Sequence, residues 1–247
     1  MESGASLTRT LPARLTAGDF HDAVLALAPR VAIFDCDGTL WSGDAGYGFM
    51  QWSIETGLVS RNAADWIDSR YRLYRSGDIS ELAICGEMVQ LYTGLEESEL
   101  RRAATTYFRG QIEPHIFPEM QRLITDLRAT GCEIWAVSST NNWVVEEGVR
   151  DFGIPPERVL AAQVAVEDGL ITSRLIDVPT DERKAIALER VHRPHPDVVF
   201  GNSIHDAAML ALARAPFAVN PTPALLEIAA DHNWPVFIPA AIAQDKR

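Results

Sequence analysis

Short apolar runs recur along the chain, and longer amphipathic stretches separate them. The run from Val31 to Phe34 lies between charged residues and is followed closely by a glycine, which predicts a buried strand of a parallel sheet. Further strands are predicted at 133–137, 198–200, 217–219 and 236–238, with a short strand at 159–162 and a hairpin at 164–172 that turns at Asp168-Gly169.

Helical periodicity marks the stretches between these strands. Apolar residues from Met120 to Leu127 recur at i, i+3, i+4 and i+7, and Gly131 ends that helix. Other helices are predicted at 19–27, 143–152 and 181–191, and one more begins at Pro223. Strands that alternate with helices predict an α/β fold, in which a Rossmann-like parallel sheet is flanked by helices on both faces.

Residues 41 to about 111 contain no convincing strand. They form tyrosine- and tryptophan-bearing helical stretches, which are interrupted by glycines where helices commonly end, at 57, 77, 94 and 110. We therefore predict about four helices inserted between the first and second core strands. The predicted domains are an α/β core of residues 1–40 and 112–247 and an inserted α-helical domain of residues 41–111.

Composition and charge limit the classes of binding partner that we expect. The chain has 247 residues, 47% hydrophobic and 23% charged, as in ordinary globular proteins. Its formal net charge is −12 and it has no dense basic block, so we expect no nucleic acid partner. No apolar run approaches the roughly 18 residues of a membrane span, so we expect no membrane partner either.

Residues 1–14 predict a loose tail that lacks the apolar core of a secretory signal. The three cysteines, Cys36, Cys85 and Cys132, are far apart and form no CxxC motif, which argues against a disulfide framework or a zinc site. We therefore expect a cytoplasmic protein with reduced thiols, either a monomer or a homodimer.

The segment Asp35-Cys36-Asp37-Gly38-Thr39-Leu40 carries the clearest chemical signal. It follows a predicted strand, at the edge where ligands bind in open parallel sheets. Side chains alternate along an extended chain, so Asp35 and Asp37 point the same way. Two carboxylates so close together need a cation or a shared proton, and magnesium prefers such oxygen ligands. One carboxylate can attack phosphorus while the other handles the proton of the leaving group.

This segment resembles the DxDGT(L/V) motif of the haloacid dehalogenase superfamily of phosphatases, and three further motifs follow in order. Ser138, at the end of an apolar strand, matches the second motif, Lys184 matches the third, and GNSIHDAAML from Gly201 to Leu210 matches the fourth. The resemblance covers about residues 30–240 and includes the inserted helices, which match the helical cap of phosphoserine phosphatase-like members.

The resemblance implies a magnesium-dependent hydrolase that acts on a small phosphomonoester through a phosphoryl-aspartate. Asp35 would be the nucleophile, and Asp37 would be the general acid and base and would offer its backbone carbonyl to the metal. The residues implied to bind phosphate are Gly38, Thr39, Ser138, Ser139 and Lys184. Those implied to bind Mg²⁺ are Asp35, Asp37, Asn202 and Asp206.

The fourth motif departs from the superfamily pattern at Asn202, where aspartate is usual. Asparagine still offers a carbonyl oxygen but brings one less negative charge, while Asp206 remains to bind the metal or hold its water. His205 stands where the phosphoserine phosphatases often have asparagine. We expect magnesium to bind more weakly than in relatives and Asn202→Asp to tighten it.

One acidic residue and three arginines are candidates for recognising the leaving group. In the phosphoserine phosphatase-like subgroup, an acidic residue shortly after the first motif contacts the substrate amine. Asp44 lies at that offset, although it would equally well cap the following helix. A cap arginine often meets the substrate carboxylate. Arg70, Arg72 and Arg75 are candidates between which the sequence does not choose, and of these we predict Arg75.

Other functions stay open at this point. A phosphotransferase would pass the same aspartyl phosphate to an acceptor other than water. A degenerate protein would bind a phosphorylated ligand without turnover, and Asn202 favours this alternative. Asp37 argues against a dehalogenase, because those enzymes lack the second acid.

Overall fold

Eight strands form one sheet in the computed structural model, which describes residues 12–245 of the chain. They are β1 (Arg14–Leu15), β2 (Val31–Phe34), β3 (Glu133–Asn141), β4 (Val159–Glu167), β5 (Leu170–Asp177), β6 (Val198–Gly201), β7 (Ala215–Val219) and β8 (Val236–Phe237). Their order across the sheet is β1-β8-β7-β6-β2-β3-β4-β5. All neighbouring strands are parallel except β4 and β5, which form a hairpin.

Helices cover this sheet and fill the long connection after β2. In the described part of the chain they are α1 (Ala17–Ala26), α2 (Ala45–Glu55), α3 (Arg61–Arg75), α4 (Glu81–Gln90), α5 (Glu97–Tyr107), α6 (Pro118–Ala129), α7 (Asn142–Arg150), α8 (Glu182–Arg190), α9 (Ala207–Ala211), α10 (Pro223–His232) and α11 (Ala240–Asp245). The predicted α/β architecture, a parallel sheet flanked by helices, is confirmed.

Strand β2 lies in the middle of the sheet, between β3 and β6. Because side chains alternate along a strand, its residues contribute to both cores. Phe34 stacks on Phe200 of β6 with ring centroids 4.4 Å apart, while Ile33 packs into a second cluster on the opposite face. Burial on both faces explains why β2 is apolar throughout. The carboxyl end of β2 therefore opens at the centre of the sheet edge, beside the ends of β3 and β6.

Helices α2 to α5 account for most of residues 41–111, and a π-helical turn at Phe108–Ile112 leads the chain back to the core. The helices do not stand apart from the rest of the protein. Helix α4 packs on β4 and β5, and α5 packs on α7. The four helices thus lie over the carboxyl-end side of the sheet, and the β4–β5 hairpin supports them.

The sequence prediction was wrong at the amino-terminal edge of the sheet. Arg14 was placed in a loose tail, but Arg14 and Leu15 pair with Val236 and Phe237 as strand β1. A two-residue strand carries no periodicity, and a partner more than 200 residues away supplies its hydrogen bonds, so local sequence gave no signal. Residues 1–11 of the predicted tail lie outside the described residues.

Two strands are longer than predicted. Strand β3 continues through Ser138 to Asn141, and β4 runs unbroken from Val159 to Glu167, where a separate strand and the start of a hairpin were expected. The predicted turn is confirmed: Asp168 and Gly169 have φ of 51° and 81° and connect β4 to β5. Nowhere between residues 12 and 245 is a helix both long and apolar enough to span a bilayer.

Candidate active site

Asp35 stands at the carboxyl end of β2, where its backbone N–H still donates to Phe200 O of β6 at 2.9 Å. Its carboxylate is buried and lies in the wall of a cavity of about 340 Å³. Thr39 Oγ1 donates to Asp35 Oδ2 at 2.9 Å, and Lys184 Nζ donates to Oδ1 at 2.7 Å. Burial, together with the nearby Asp206 carboxylate, raises the pKa of Asp35 to about 7.

Asp37 faces the same cavity, but different donors hold its carboxylate. Oδ1 accepts hydrogen bonds from Trp41 Nε1 at 2.7 Å and from the backbone N–H of Ala45 at 2.8 Å. Oδ2 accepts one from Thr140 Oγ1 at 2.6 Å. Burial raises the pKa of Asp37, and these three hydrogen bonds partly offset that rise by stabilising the charged form.

Lys184 enters the site from the first turn of α8 and is almost fully buried. Its ammonium donates to Asp35 Oδ1 at 2.7 Å, to Asp206 Oδ1 at 2.5 Å and to the carbonyl of Val137 at 3.3 Å. Burial alone would lower the pKa of Lys184, but the two carboxylates raise it above its ordinary value, so the ammonium stays charged. The structure thus brings the predicted third-motif lysine directly onto the predicted nucleophile.

The second predicted motif lies along the end of β3. Ser138 is buried, and its Oγ accepts a hydrogen bond from the backbone N–H of Thr140 at 3.1 Å. Ser138 and Ser139 both line the cavity beside Asp35. The Ser138 hydroxyl keeps its own proton free for donation, as binding a phosphoryl oxygen requires.

The fourth motif folds back on itself around Asp206, which is fully buried. Asp206 Oδ2 accepts the backbone N–H groups of Asn202 and Ser203, both at 2.9 Å, while Oδ1 receives Lys184. A Cβ on Gly201 would lie 2.6 Å from the Cβ of Asp206, so only glycine fits there. Asp206 therefore fixes both the loop that carries Asn202 and the position of the Lys184 ammonium.

The oxygen-rich donors at this edge fit a magnesium ion. Asp35 and Asp206 both contact the Lys184 ammonium, and Asp37 and Asn202 line the same cavity as Asp35. The two carboxylates, the Asn202 amide oxygen and the Asp37 backbone carbonyl are hard oxygen donors, which magnesium prefers. Two buried carboxylates, Asp35 and Asp206, share the single ammonium of Lys184, which leaves one negative charge for a cation to balance. Within residues 12–245, no group of three or more His, Cys, Asp or Glu side chains is arranged to hold a metal. A cation here would accordingly depend on the Asn202 amide and the Asp37 carbonyl in addition to carboxylates.

The two predicted substrate residues, Asp44 and Arg75, both line the cavity. Asp44 also caps α2, because its Oδ1 accepts the N–H of Tyr47 at 2.8 Å. Asp44 is exposed, and partial desolvation at the cavity together with the charges of Asp37 and Glu81 raises its pKa above the ordinary value. Capping therefore leaves the rest of the Asp44 carboxylate available to a ligand.

Of the three candidate arginines, Arg75 alone lines the cavity. Arg70 instead forms a bidentate ion pair with Glu87 of α4, with nitrogen–oxygen distances of 2.8 and 2.7 Å. Arg72 is exposed on α3 and does not line the cavity. The partner of Arg70 lies on a different helix, so sequence alone could not have removed it from the candidates.

Several residues of the site were missed by the sequence analysis. Trp41 and Thr140 hold Asp37, and Glu81 and Tyr74 line the cavity from the inserted helices. Thr140 carried a usable signal, because it lies two residues after Ser138 on the same face of β3. Trp41 lies only four residues after Asp37, so its contact is local, whereas Glu81 and Tyr74 reach the site only because the inserted helices pack against the core.

The sequence profile of haloacid dehalogenase-like hydrolases matches residues 32–211 of this chain. A histidinol-phosphatase of Neisseria meningitidis is 27% identical over 218 residues, which cover 84% of this chain and 97% of that protein.

Solved structures with the same fold include a protein of unknown function from Bordetella pertussis and a substrate-bound phosphoserine phosphatase. The first has a TM-score of 0.76 at 24% identity and covers 85% of this chain and 98% of that chain. The second has a TM-score of 0.58 at 16% identity and covers 85% of this chain and 92% of that chain.

Proposed function

This chain belongs to the haloacid dehalogenase-like hydrolase family and is a phosphoric monoester hydrolase, and we propose that it cleaves a small phosphomonoester through a phosphoryl-aspartate on Asp35. One observation carries the proposal. The Asp35 carboxylate is buried in the cavity wall with the Lys184 ammonium 2.7 Å from its Oδ1. A buried carboxylate paired with a fixed cation suits attack on an anionic phosphoryl group, since the cation offsets the repulsion between the two anions.

In the proposed reaction, an oxygen of Asp35 attacks phosphorus in line with the ester oxygen. Lys184 offsets charge on both the nucleophile and the phosphoryl oxygens, and the Ser138 hydroxyl donates to one of those oxygens. Thr39 keeps the Asp35 carboxylate in one orientation through its 2.9 Å hydrogen bond. Positioning and charge stabilisation together supply most of the catalysis in phosphoryl transfer.

Asp35, Asn202, Asp206 and the carbonyl of Asp37 would hold Mg²⁺. When bound, the ion would neutralise negative charge on the transferring phosphoryl group. Asp206 has a second task that does not depend on a metal, because it orders the Asn202 loop through two backbone N–H groups. Asn202 contributes an uncharged donor where the superfamily usually has a carboxylate.

Asp37 completes the proposed cycle. It gives a proton to the departing alkoxide in the first half, and in the second it takes a proton from the water that attacks the phosphoryl-aspartate. Its raised pKa favours the protonated form that the first half requires. Phosphate then leaves and the Asp35 carboxylate is restored.

We propose that helices α2 to α5 act as a cap that encloses the leaving group. Their residues that line the cavity include Tyr47, Tyr71, Arg75 and Glu81, and Asp35 lines the same cavity from the core. Asp44 at the start of α2 suits a cationic group of the substrate, and Arg75 suits an anionic one. A small phosphomonoester that carries an amine is the substrate class these residues fit. All three cysteines are free and buried, in keeping with the cytoplasmic location that we propose.

The test is a phosphatase screen of the whole chain with Mg²⁺ over small phosphomonoesters that include phosphoserine and histidinol phosphate. Wild type is compared with Asp35→Asn, and with Asp65→Asn, which makes the same change at an exposed position of α3. We expect phosphate release by wild type and Asp65→Asn, and a loss of at least about a thousandfold in Asp35→Asn.

The phosphoryl-aspartate itself is tested by rapid acid quench followed by peptide mass spectrometry, which should locate the phosphoryl group on Asp35. Transfer of the phosphoryl group to an added alcohol acceptor, giving a new phosphate ester with little free phosphate, would instead identify a phosphotransferase. Binding of phosphomonoesters without any turnover would identify a protein that has lost catalysis.

A further inference from the structure

We infer that Thr140 is a positioning residue that makes Oδ2 of Asp37 the oxygen that exchanges the catalytic proton. The inference rests on the proposed function, since it concerns how Asp37 would act as acid and base. It starts from an asymmetry between the two oxygens of one carboxylate. Each oxygen has hydrogen-bond partners of a different chemical kind, and the kind of partner decides where a proton can reside.

The partners of Oδ1 can only donate. Trp41 Nε1 lies 2.7 Å away and the backbone N–H of Ala45 lies 2.8 Å away. An indole N–H and a backbone N–H have no acceptor capacity, so both lone pairs of Oδ1 are engaged as acceptors. A proton placed on Oδ1 would displace one of these donors and leave it buried without a partner, which is unfavourable. Oδ1 is therefore an anchor.

The partner of Oδ2 is a hydroxyl, Thr140 Oγ1, at 2.6 Å. A hydroxyl donates one hydrogen bond and accepts others, so Thr140 stays bonded to Oδ2 in either protonation state of Asp37. It occupies one lone pair of Oδ2 and leaves the other for the proton that moves to or from the reacting oxygen. Oδ2 is thus the oxygen with room for a transferable proton.

The surroundings of Thr140 show that its hydroxyl has little freedom. Its side chain is buried, and it stands on β3, next to the first turn of α2. A Cβ on Gly46 would lie 2.5 Å from Thr140 Oγ1, so α2 approaches this closely only because residue 46 is glycine. Ala45, which anchors Oδ1, belongs to the same helical turn. The core strand and the inserted helix therefore hold Asp37 from opposite sides.

The proton balance follows from this geometry. As Asp35 forms its bond to phosphorus, the bond to the ester oxygen breaks, and the proton on Asp37 Oδ2 moves to that oxygen. In the second half, Oδ2 takes a proton from water while the water oxygen bonds to phosphorus and the bond to Asp35 breaks. Asp37 ends protonated again, so no further acid or base is needed.

Thr140→Val and Thr140→Ala both remove the hydroxyl. Alanine also avoids placing a bulky side chain beside Gly46, and Thr140→Ser keeps a hydroxyl at this position. The measurement is kcat/KM with Mg²⁺ for alkyl phosphates and for p-nitrophenyl phosphate, whose leaving group departs without a proton. This parameter reports the steps up to release of the alcohol, so the second half of the cycle does not obscure it. Thermal unfolding of each variant shows that it is folded.

We expect kcat/KM of both hydroxyl-free variants to fall about tenfold to a hundredfold for alkyl phosphates and less than about threefold for p-nitrophenyl phosphate. The first loss is a fraction of the roughly hundredfold to ten-thousandfold that general acid catalysis supplies. Thr140→Ser should recover the wild-type ratio between the two substrates. If Thr140 had a purely structural role, its loss would lower kcat/KM equally for both substrates. That result, or no loss at all, would overturn the inference while leaving the proposed function intact. Absence of turnover by wild type would overturn the proposed function and this inference with it.

Discussion

The side-chain amide of Asn202 lies directly against the backbone of Gly38. A Cβ on residue 38 would stand 1.8 Å from Asn202 Nδ2, closer than any non-bonded contact allows. Gly38 also has a φ of 76°, in the left-handed region that favours glycine. Both the backbone conformation and the lack of space for a side chain therefore require glycine at position 38. Through this contact the first and fourth motifs, which are more than 160 residues apart in sequence, form one surface.

Gly38→Ala should lower both stability and activity. The positive φ alone costs an alanine about 1–2 kcal/mol, and displacement of Asn202 adds to that cost. Gly77→Ala is the matched control, because Gly77 has a φ of 83° and nothing within 4 Å of its added Cβ. Urea unfolding should show a clearly larger loss of unfolding free energy for Gly38→Ala, and only this variant should lose phosphatase activity. Equal losses in both variants would show that the Asn202 side chain moves aside without lowering the unfolding free energy.

Asn202→Asp should strengthen magnesium binding, because a carboxylate attracts the ion more strongly than a neutral amide does. We expect half-saturation at about tenfold lower Mg²⁺, equivalent to about 1.4 kcal/mol. Two readouts check this: Mg²⁺ titration of activity, and the shift of thermal unfolding with Mg²⁺, which follows binding to the folded state.

Asn141→Asp provides the control for added charge. Asn141 lines the same cavity and caps α7 by accepting from Val144 N at 3.1 Å, a role that aspartate fills equally well. If Asn141→Asp tightened Mg²⁺ binding as much as Asn202→Asp does, attraction of the ion to any added negative charge in the cavity would explain the effect. Asn202 would then have no direct part in the metal site.

The sequence was most informative where chemistry and strand ends coincide. The run from Val31 to Phe34 is apolar throughout because both its faces are buried, and this made β2, and with it the position of Asp35, predictable. Ser138 and Lys184 were predicted from motif order, and the fold places both beside Asp35. Local pattern sufficed for these residues because parallel strands bring their carboxyl ends to one edge.

Contacts between residues that are far apart in sequence could not be predicted from local patterns. Strand β1 exists only because Val236 and Phe237 offer it an edge. Arg70 left the set of substrate candidates only because Glu87 on the next helix binds it. The position of Thr140 two residues after Ser138 is visible in the sequence, but its contact with Asp37 spans 103 residues of sequence. None of these partners lies within the window that periodicity or spacing examines.

Lys184→Met should destabilise the fold strongly in addition to abolishing activity. The Lys184 ammonium is the partner of two buried carboxylates, Asp35 and Asp206, and without it their charges are left close together in the core. Loss of one partner from a buried ion pair costs about 3–5 kcal/mol. Urea unfolding at neutral pH measures this loss.

Arg183→Met, one residue earlier and exposed, removes a charge and adds the same side chain, and it should change stability by less than about 0.5 kcal/mol. A similar small change in Lys184→Met would mean that the two carboxylates are protonated or hydrated without the lysine.

Glu133 and Arg193 should give the protein a measurable pH dependence of stability far from the active site. Arg193 Nε and Nη2 donate to the two oxygens of Glu133 at 2.7 and 2.9 Å, and these hydrogen bonds lower the pKa of Glu133 to about 2. Because the folded-state pKa is lower than the unfolded one, the contribution is complete above the unfolded value of about 4.5 and is lost as the pH falls toward 2.

Glu133→Gln removes the charge and keeps an acceptor for Arg193 and for the Trp135 indole, which also donates to Glu133. Both side chains of the pair are partly exposed, so solvent screening limits the expected loss to roughly 1 kcal/mol at pH 7. Urea unfolding at a series of pH values should show wild type and variant converging between about pH 5 and pH 2. Glu167→Gln, at an exposed ion pair with Arg174, is the control and should show a smaller difference over the same range. A difference for Glu133→Gln that stays constant with pH would mean that lost packing or hydrogen bonding, rather than the carboxylate charge, accounts for it.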